Sequence, residues 1–300
     1  MERQAGFSQS QPARTIIVPL DGSVHALAAL PVARRLAEQE GATLHLVHVE
    51  GRMLSPRDLI SQLGLAPEQL HDSVLNQLTG TPALSIVHEA LERQSMLIVM
   101  CTRTGLAEPH SGLGPVAEEV VRTAPCPVVL VSPRRGMHPW ILHEILLPHD
   151  GTPTMAEAIL PASDLAEHSG AELWVLHVAA PQTETAVEPG TLGAPRYLDQ
   201  PQHEWPAWTS EFLGRLYALG HPPERMTLHL SLATGEPGDE IVRFASEHGS
   251  DVIVLAWRGH FEAERAATLK AVIQAAPCPV FILRVEGDGS PSPGDPLAMG

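Results

Sequence analysis

Basic residues are scarce in this chain, and so are cysteines and long apolar runs. Its 300 residues hold 19 basic against 35 acidic side chains, a formal net charge of −16 with histidine neutral. A polyanion would meet a repulsive field here rather than release counterions, so nucleic acid is excluded as a partner class. The three cysteines are an odd count, and Cys126 and Cys278 stand in the same local string, Ala-Pro-Cys-Pro-Val. That marks a repeat and not a disulfide framework, and each cysteine reads as a small buried hydrophobe. No apolar stretch approaches the roughly 18 residues that a membrane span requires. The start, MERQAGFSQSQPARTIIV, has no signal-like apolar core before its first strand-like run. The expectation is a soluble cytoplasmic protein with no membrane partner.

Catalytic motifs are missing as well. There is no Gly-x4-Gly-Lys-Ser/Thr loop for phosphoryl transfer and no Gly-x-Ser-x-Gly elbow to raise a nucleophilic serine. The His-Glu pairs at His88, His143 and His203 lack a second histidine four residues on, so the zinc protease pattern fails and no metal is expected. His45 and His48, three apart on a strand, face opposite ways. Gly112-Leu113-Gly114-Pro115-Val116-Ala117 fits the dinucleotide fingerprint formally, but it follows the fourth strand-like run instead of the first. No enzymatic activity is predicted.

What is present is an internal duplication. Ile16 to Ser23 (IIVPLDGS) pairs with Ile145 to Thr152 (ILLPHDGT), and Gly41 to Val49 with Gly170 to Val178 at the same spacing. Thr79-Gly80-Thr81-Pro82 then pairs with Thr234-Gly235-Glu236-Pro237, after about 26 extra residues in the second half. Met96 to Met100 matches Asp251 to Leu255, and the two Ala-Pro-Cys-Pro-Val strings close the halves. Residues 1–13 and 287–300 have the small-polar and proline content of disordered ends. The expected units are 14–133 and 141–286, joined by a linker over 134–140, with an inserted loop over about 181–206.

Short aliphatic runs (Ile16 to Leu20, Leu44 to Val49, Leu97 to Met100, Val128 to Val131) alternate with helical patterns. Runs apolar on both faces suit a parallel sheet with helices on either side, an α/β class. Leu27, Leu30, Ala33 and Leu36 fall at helical spacing over Ala26 to Gln39, as do Leu84, Val87 and Leu91 over Pro82 to Gln94. Trp205, Trp208, Phe212, Leu213 and Leu216 read as the core face of another helix. Ser73 to Thr79 has little β character and is the weakest strand of its half.

The ordered combination of Val/Leu-Pro-x-Asp-Gly-Ser/Thr, Leu-x3-His-Val, Gly-x-Pro and Ala-Pro-Cys-Pro-Val, met twice, resembles the universal stress protein family. The resemblance implies an adenine nucleotide alpha hydrolase-like fold, with an open parallel five-stranded sheet in the order 3-2-1-4-5 in each half. It also implies that the final strands, Val128 to Val131 and Val280 to Leu283, pair across the halves into an intramolecular pseudo-dimer. Such pairing would remove an apolar edge that otherwise invites association. A homodimer of whole chains is a further option, and the protein client is not given by the sequence.

Nucleotide-binding members of that family carry Gly-x2-Gly-x9-Gly-Ser/Thr after strand 4, where backbone N–H groups and a helix start meet phosphates. At the same spacing this chain has Cys101, Thr104, Gly114 and Pro115, so register survives while two glycines and the hydroxyl are lost. The resemblance places a nucleotide, ATP foremost, against Pro19, Asp21, Val49, Thr102, Arg103, Gly105, Gly114 and Pro115 in the first half. In the second half it assigns Asp150, Val178, Arg258 and Gly259, in a loop that reaches its helix early with Ala266-Ala267 where Gly-Ser would stand. Asp21 and Asp150 have an alternative, as the turn and cap that start the first helix of each half. Arg103 and Arg258 read equally as surface charges, and His48 and His177 as structural. Two functions stay open: a non-enzymatic stress-response protein acting by protein contacts, and an ATP or AMP sensor using the first half.

Overall fold

A computed structural model describes residues 14–102, 113–179, 201–223, 227–257 and 264–285. The first half runs β1 (Thr15–Pro19), a 3-10 turn (Ala26–Ala28), α1 (Ala29–Glu40), β2 (Thr43–Val49), α2 (Pro56–Leu63), α3 (Pro67–Leu70), β3 (Ser73–Leu78), α4 (Pro82–Glu92), β4 (Leu97–Cys101), α5 (Pro115–Thr123) and β5 (Val128–Val131). The second runs β6 (Glu144–Pro148), α6 (Pro153–Ala156), α7 (Ile159–Ser169), β7 (Glu172–Ala179), α8 (Pro201–Gly220), β8 (Leu228–Thr234), α9 (Pro237–His248), β9 (Val252–Trp257), α10 (Glu264–Ala275) and β10 (Val280–Arg284). Proline opens α2, α4, α5 and α9, where its missing N–H and fixed φ cost nothing. Gly41 and Gly170, paired in the repeat, end α1 and α7 in the left-handed conformation.

All ten strands form one sheet, in the order β3-β2-β1-β4-β5-β10-β9-β6-β7-β8. Each half thus has the expected 3-2-1-4-5 order, but the two sheets are a single one. The join is antiparallel, with Val280 beside Leu130, Phe281 beside Val129 and Ile282 beside Val128, whereas the pairings within each half are parallel. Because β5 and β10 cover each other, neither leaves an apolar edge, and the pseudo-dimer is internal to the chain.

Strand alternation sends Ile16, Val18, Val99 and Val129 into a core beneath α1, α2, α7 and α8. Ile17, Ile98, Met100, Val128 and Leu130 enter a second core on the opposite face, beneath α4, α5, α9 and α10. Each core is continuous across the join.

Two expectations are corrected. On α4 the buried residues are Ala83, Ile86 and Ala90, while Leu84 and Leu91 are each 60% exposed. Small side chains let this helix lie close on the sheet, and the leucines are turned one position outward. Helix α8 begins at Pro201, inside the stretch read as a loop up to Pro206. Its Phe212 and Leu216 are fully buried, as expected, and the side chains of Trp205 and Trp208 lie outside the description. Ser73 to Leu78, the weakest strand by sequence, is a strand as expected, held by six parallel register pairs to β2 at the sheet's edge.

Candidate functional site

Strand order reverses between β1 and β4, and the crevice at their carboxyl ends is where open α/β sheets receive ligands. The register Ile17 beside Ile98 brings the residue after β1, Leu20, level with the end of β4, and Asp21 level with Thr102. In the second half Leu146 lies beside Ile253, which brings Asp150 level with Trp257.

At this rim Asp21 is a turn-former. Its Oδ1 accepts the Ser23 N–H at 2.9 Å, and Ser23 Oγ accepts the Ala26 N–H at 3.2 Å, capping the 3-10 turn that leads into α1. Asp150 repeats the arrangement, with Oδ1 accepting the Thr152 N–H at 3.0 Å and the Thr152 hydroxyl at 2.7 Å. Between them Gly22 and Gly151 hold φ of 88° and 82°, where a side chain would be strained. A Cβ on Gly22 would also stand 3.3 Å from the Gln62 carbonyl oxygen. Pro19, Val49 and Val178 are half-buried at the ends of their strands.

A histidine fixes each turn from below. His48 Nδ1–H donates to the Leu20 carbonyl at 2.7 Å, and His177 Nδ1–H to the His149 carbonyl at 2.9 Å. The backbone adds Leu20 N–H to Val47 at 2.8 Å and His149 N–H to Leu176 at 2.9 Å. These bonds carry the sheet one residue beyond β1 and β6, so the buried histidines are structural. In the first half His48 Nε2 continues outward, 3.2 Å from Glu50 Oε2. Glu50 is held below the usual carboxylate range by the Gln62 amide first and His48 second.

The halves differ one residue before the aspartate, where Leu20 is replaced by His149. Its Nδ1 accepts the Gly151 N–H at 2.9 Å, which leaves the proton on Nε2. Buried Nε2 has no hydrogen-bond partner among the described residues, and the ring stands edge-on to Phe212 of α8, centroids 5.7 Å apart at 83°. Phe212 also meets the His177 ring at 5.3 Å. Burial, aided by His177 and opposed by Asp150, pulls His149 down to about 4. Burial likewise lowers His177. Sequence reasoning passed over this trio, although the exchange of Leu20 for His149 inside an otherwise matched string was visible.

After β4, Thr102 is buried, donates its N–H to Val131 at 2.9 Å and accepts the Gly114 N–H at 2.8 Å. The segment between them therefore leaves and returns at one point. Arg103 and Gly105, with Arg258 and Gly259 of the second half, lie outside the described residues. Gly114 is the extended N-cap of α5 and offers no side-chain acceptor, and Pro115 is the first helical residue. The carboxyl-end rim of the first half thus brings together Asp21, Thr102, Gly114 and Pro115. Among the described residues no cluster of three or more His, Cys, Asp or Glu side chains could hold a metal ion, and no helix is long and apolar enough to cross a membrane.

Comparison with known proteins agrees with this architecture. The model of the universal stress protein family matches residues 12–132 and again 142–284. A universal stress protein of Thermus aquaticus, encoded in the QAH/OAS sulfhydrylase 3′ region, is 33% identical over 136 residues, covering 39% of this chain and 98% of its own. Among solved structures, PA1789 of Pseudomonas aeruginosa PAO1, described as functionally unknown, superposes with a TM-score of 0.65 at 21% identity, over 91% of this chain and 93% of its own. A universal stress protein of Archaeoglobus fulgidus does so with a TM-score of 0.59 at 16% identity, over 90% and 98%. At those identities the two structures speak for the fold.

Proposed function

Because the chain belongs to the universal stress protein family, with the family model matched once in each half, we propose that it is a tandem stress-response protein that acts without catalysis, through protein contacts. The observation that carries this reading is the shared use of the rim. Asp21 and Asp150 each close a local turn, and His48 and His177 each bind a backbone carbonyl beneath it. In both halves the groups that remain matched are those that build the scaffold. Those that would receive phosphate, the second glycine and the hydroxyl after the third, are replaced in the first half by Thr104 and Pro115.

A second reading, an adenine nucleotide sensor confined to the first half, is favoured by the neck at Thr102 and Gly114. There the Thr102 carbonyl, beside the Asp21 turn, is bonded to Gly114 at the uncapped start of α5. A helix start lacking a side-chain acceptor has N–H groups to offer an anion. Calorimetry of the full chain with ATP and magnesium, and with AMP, separates the two. The contact-protein reading expects no saturable heat. Saturable heat that disappears in Asp21→Ala would replace it with the sensor. That variant should cost about 1 kcal/mol of stability through loss of the turn bond from the Ser23 N–H, so its folding is checked by circular dichroism.

A further inference from the structure

At the carboxyl end of β5, one residue beyond the Val131 carbonyl that binds Thr102, a cavity of about 300 Å³ opens where the segment joining the halves meets the loop between α10 and β10. One wall is Ser132, Arg134, Arg135 and His138, and the other is Ala275 to Pro279 between α10 and β10. In a chain of net charge −16, no carboxylate lines this cavity among the described residues. Two guanidinium groups and an imidazole do.

Their arrangement is fixed by the linker. Ser132 Oγ accepts the Arg134 N–H at 3.4 Å and begins a 3-10 turn over Pro133–Arg135. Arg135 then folds the chain back on itself, donating from Nη2 to the Pro139 carbonyl at 2.8 Å and the His138 carbonyl at 3.3 Å. Its Nε is buried without a hydrogen-bond partner among the described residues, and burial, the largest influence, lowers its pKa. A half-desolvated guanidinium gains from an anion nearby more than an exposed one does. Arg134 is exposed and forms no ion pair among the described residues. The Cys278 thiol supplies no competing charge, since burial pushes it up to about 12. Asp251, a carboxylate whose charge acts on Arg135, accepts the N–H groups of His143 and Glu144 at 2.7 and 3.1 Å.

We propose that this junction cavity binds a small oxyanion, a phosphate- or carboxylate-bearing molecule gripped by Arg134 and Arg135 with His138 at its mouth. The occupant would touch both the linker of the first half and the final loop of the second, so binding would tighten their union. The proposal is independent of any nucleotide in the crevice.

The test is calorimetry of the full chain at low ionic strength with pyrophosphate and, separately, with citrate, against sodium chloride at matched ionic strength. Saturable 1:1 heat with one or both anions is expected, unaltered in Asp21→Ala, and the stronger of the two identifies the oxyanion class. Arg134→Glu reverses a charge on an exposed side chain and should leave the fold intact while weakening binding at least tenfold. Arg134→Ala/Arg135→Ala should abolish it. No saturable heat, or heat that survives Arg134→Glu, overturns the site. So does heat lost only in Asp21→Ala, which would move the anion to the crevice. Were the arginines there only to hold the linker carbonyls of His138 and Pro139, Arg134→Ala/Arg135→Ala would lower the melting temperature and neither anion would raise it in the parent chain.

Discussion

Val129→Asp is expected to cost about 4 kcal/mol or more and to leave the chain largely unfolded or aggregated at 37 °C. Val129 is 1% exposed on β5, between Val99 of β4 on one side and Phe281 of β10 on the other, with its side chain in the core shared by both halves. A carboxylate there has no partner and must either stay charged at a large desolvation cost or take up a proton. Val129→Thr keeps the shape and should cost only about 1–2 kcal/mol. Urea denaturation followed by circular dichroism measures both. A cost below about 1 kcal/mol for the aspartate would mean that β5 is not central to one sheet.

Acid should weaken the fold through the second half. His149 is neutral in the folded chain down to about pH 4, while in the unfolded chain it takes a proton near its ordinary value of 6.5. Between those values the unfolded state binds the extra proton, so stability is fully present above pH 6.5 and is lost as pH falls toward 4. That difference corresponds to on the order of 3 kcal/mol. His177, shifted the same way by burial, adds to the slope. His149→Leu should flatten the profile in that window. It installs the residue that the first half carries at Leu20, removes a ring N–H with no partner among the described residues, and gives up the bond from Gly151 and the ring contact with Phe212. Urea midpoints taken from pH 7 to pH 4 decide it. An equally steep loss in the variant would place the acid sensitivity elsewhere.

Much of the fold was legible because it is written twice. The paired strings located the strands that lie centrally in each half, and their apolar continuity matched a sheet covered on both faces. The helix face of α4 was misread because leucines outweigh alanines in an apolar pattern, although Ala83, Ile86 and Ala90 also fall at helical spacing. The other half held the corrective: Asp239 and Ser246 stand on α9 where Leu84 and Leu91 stand on α4. Strand β3 was nearly lost because an edge strand is held by register with β2 rather than by its own composition. At the site, the aspartate turns and the carbonyl-binding histidines could be anticipated from local chemistry. The His149, His177 and Phe212 cluster could not, since the segment between strands 2 and 3 differs in length between the halves, and no paired string fixes where α8 lies. The junction cavity depends on distant loops meeting, which no local pattern encodes.

The claim beneath all of this is that the two halves share one sheet through β5 and β10 of the same chain. Cysteines placed at Val129 and Phe281, in a chain whose Cys101, Cys126 and Cys278 are replaced by alanine, test it most directly. These positions are register partners on one face, within the reach of a disulfide. After mild oxidation, non-reducing electrophoresis and peptide mapping should find the crosslink within a single chain. Free thiols, or a crosslink only between two chains, would contradict the account.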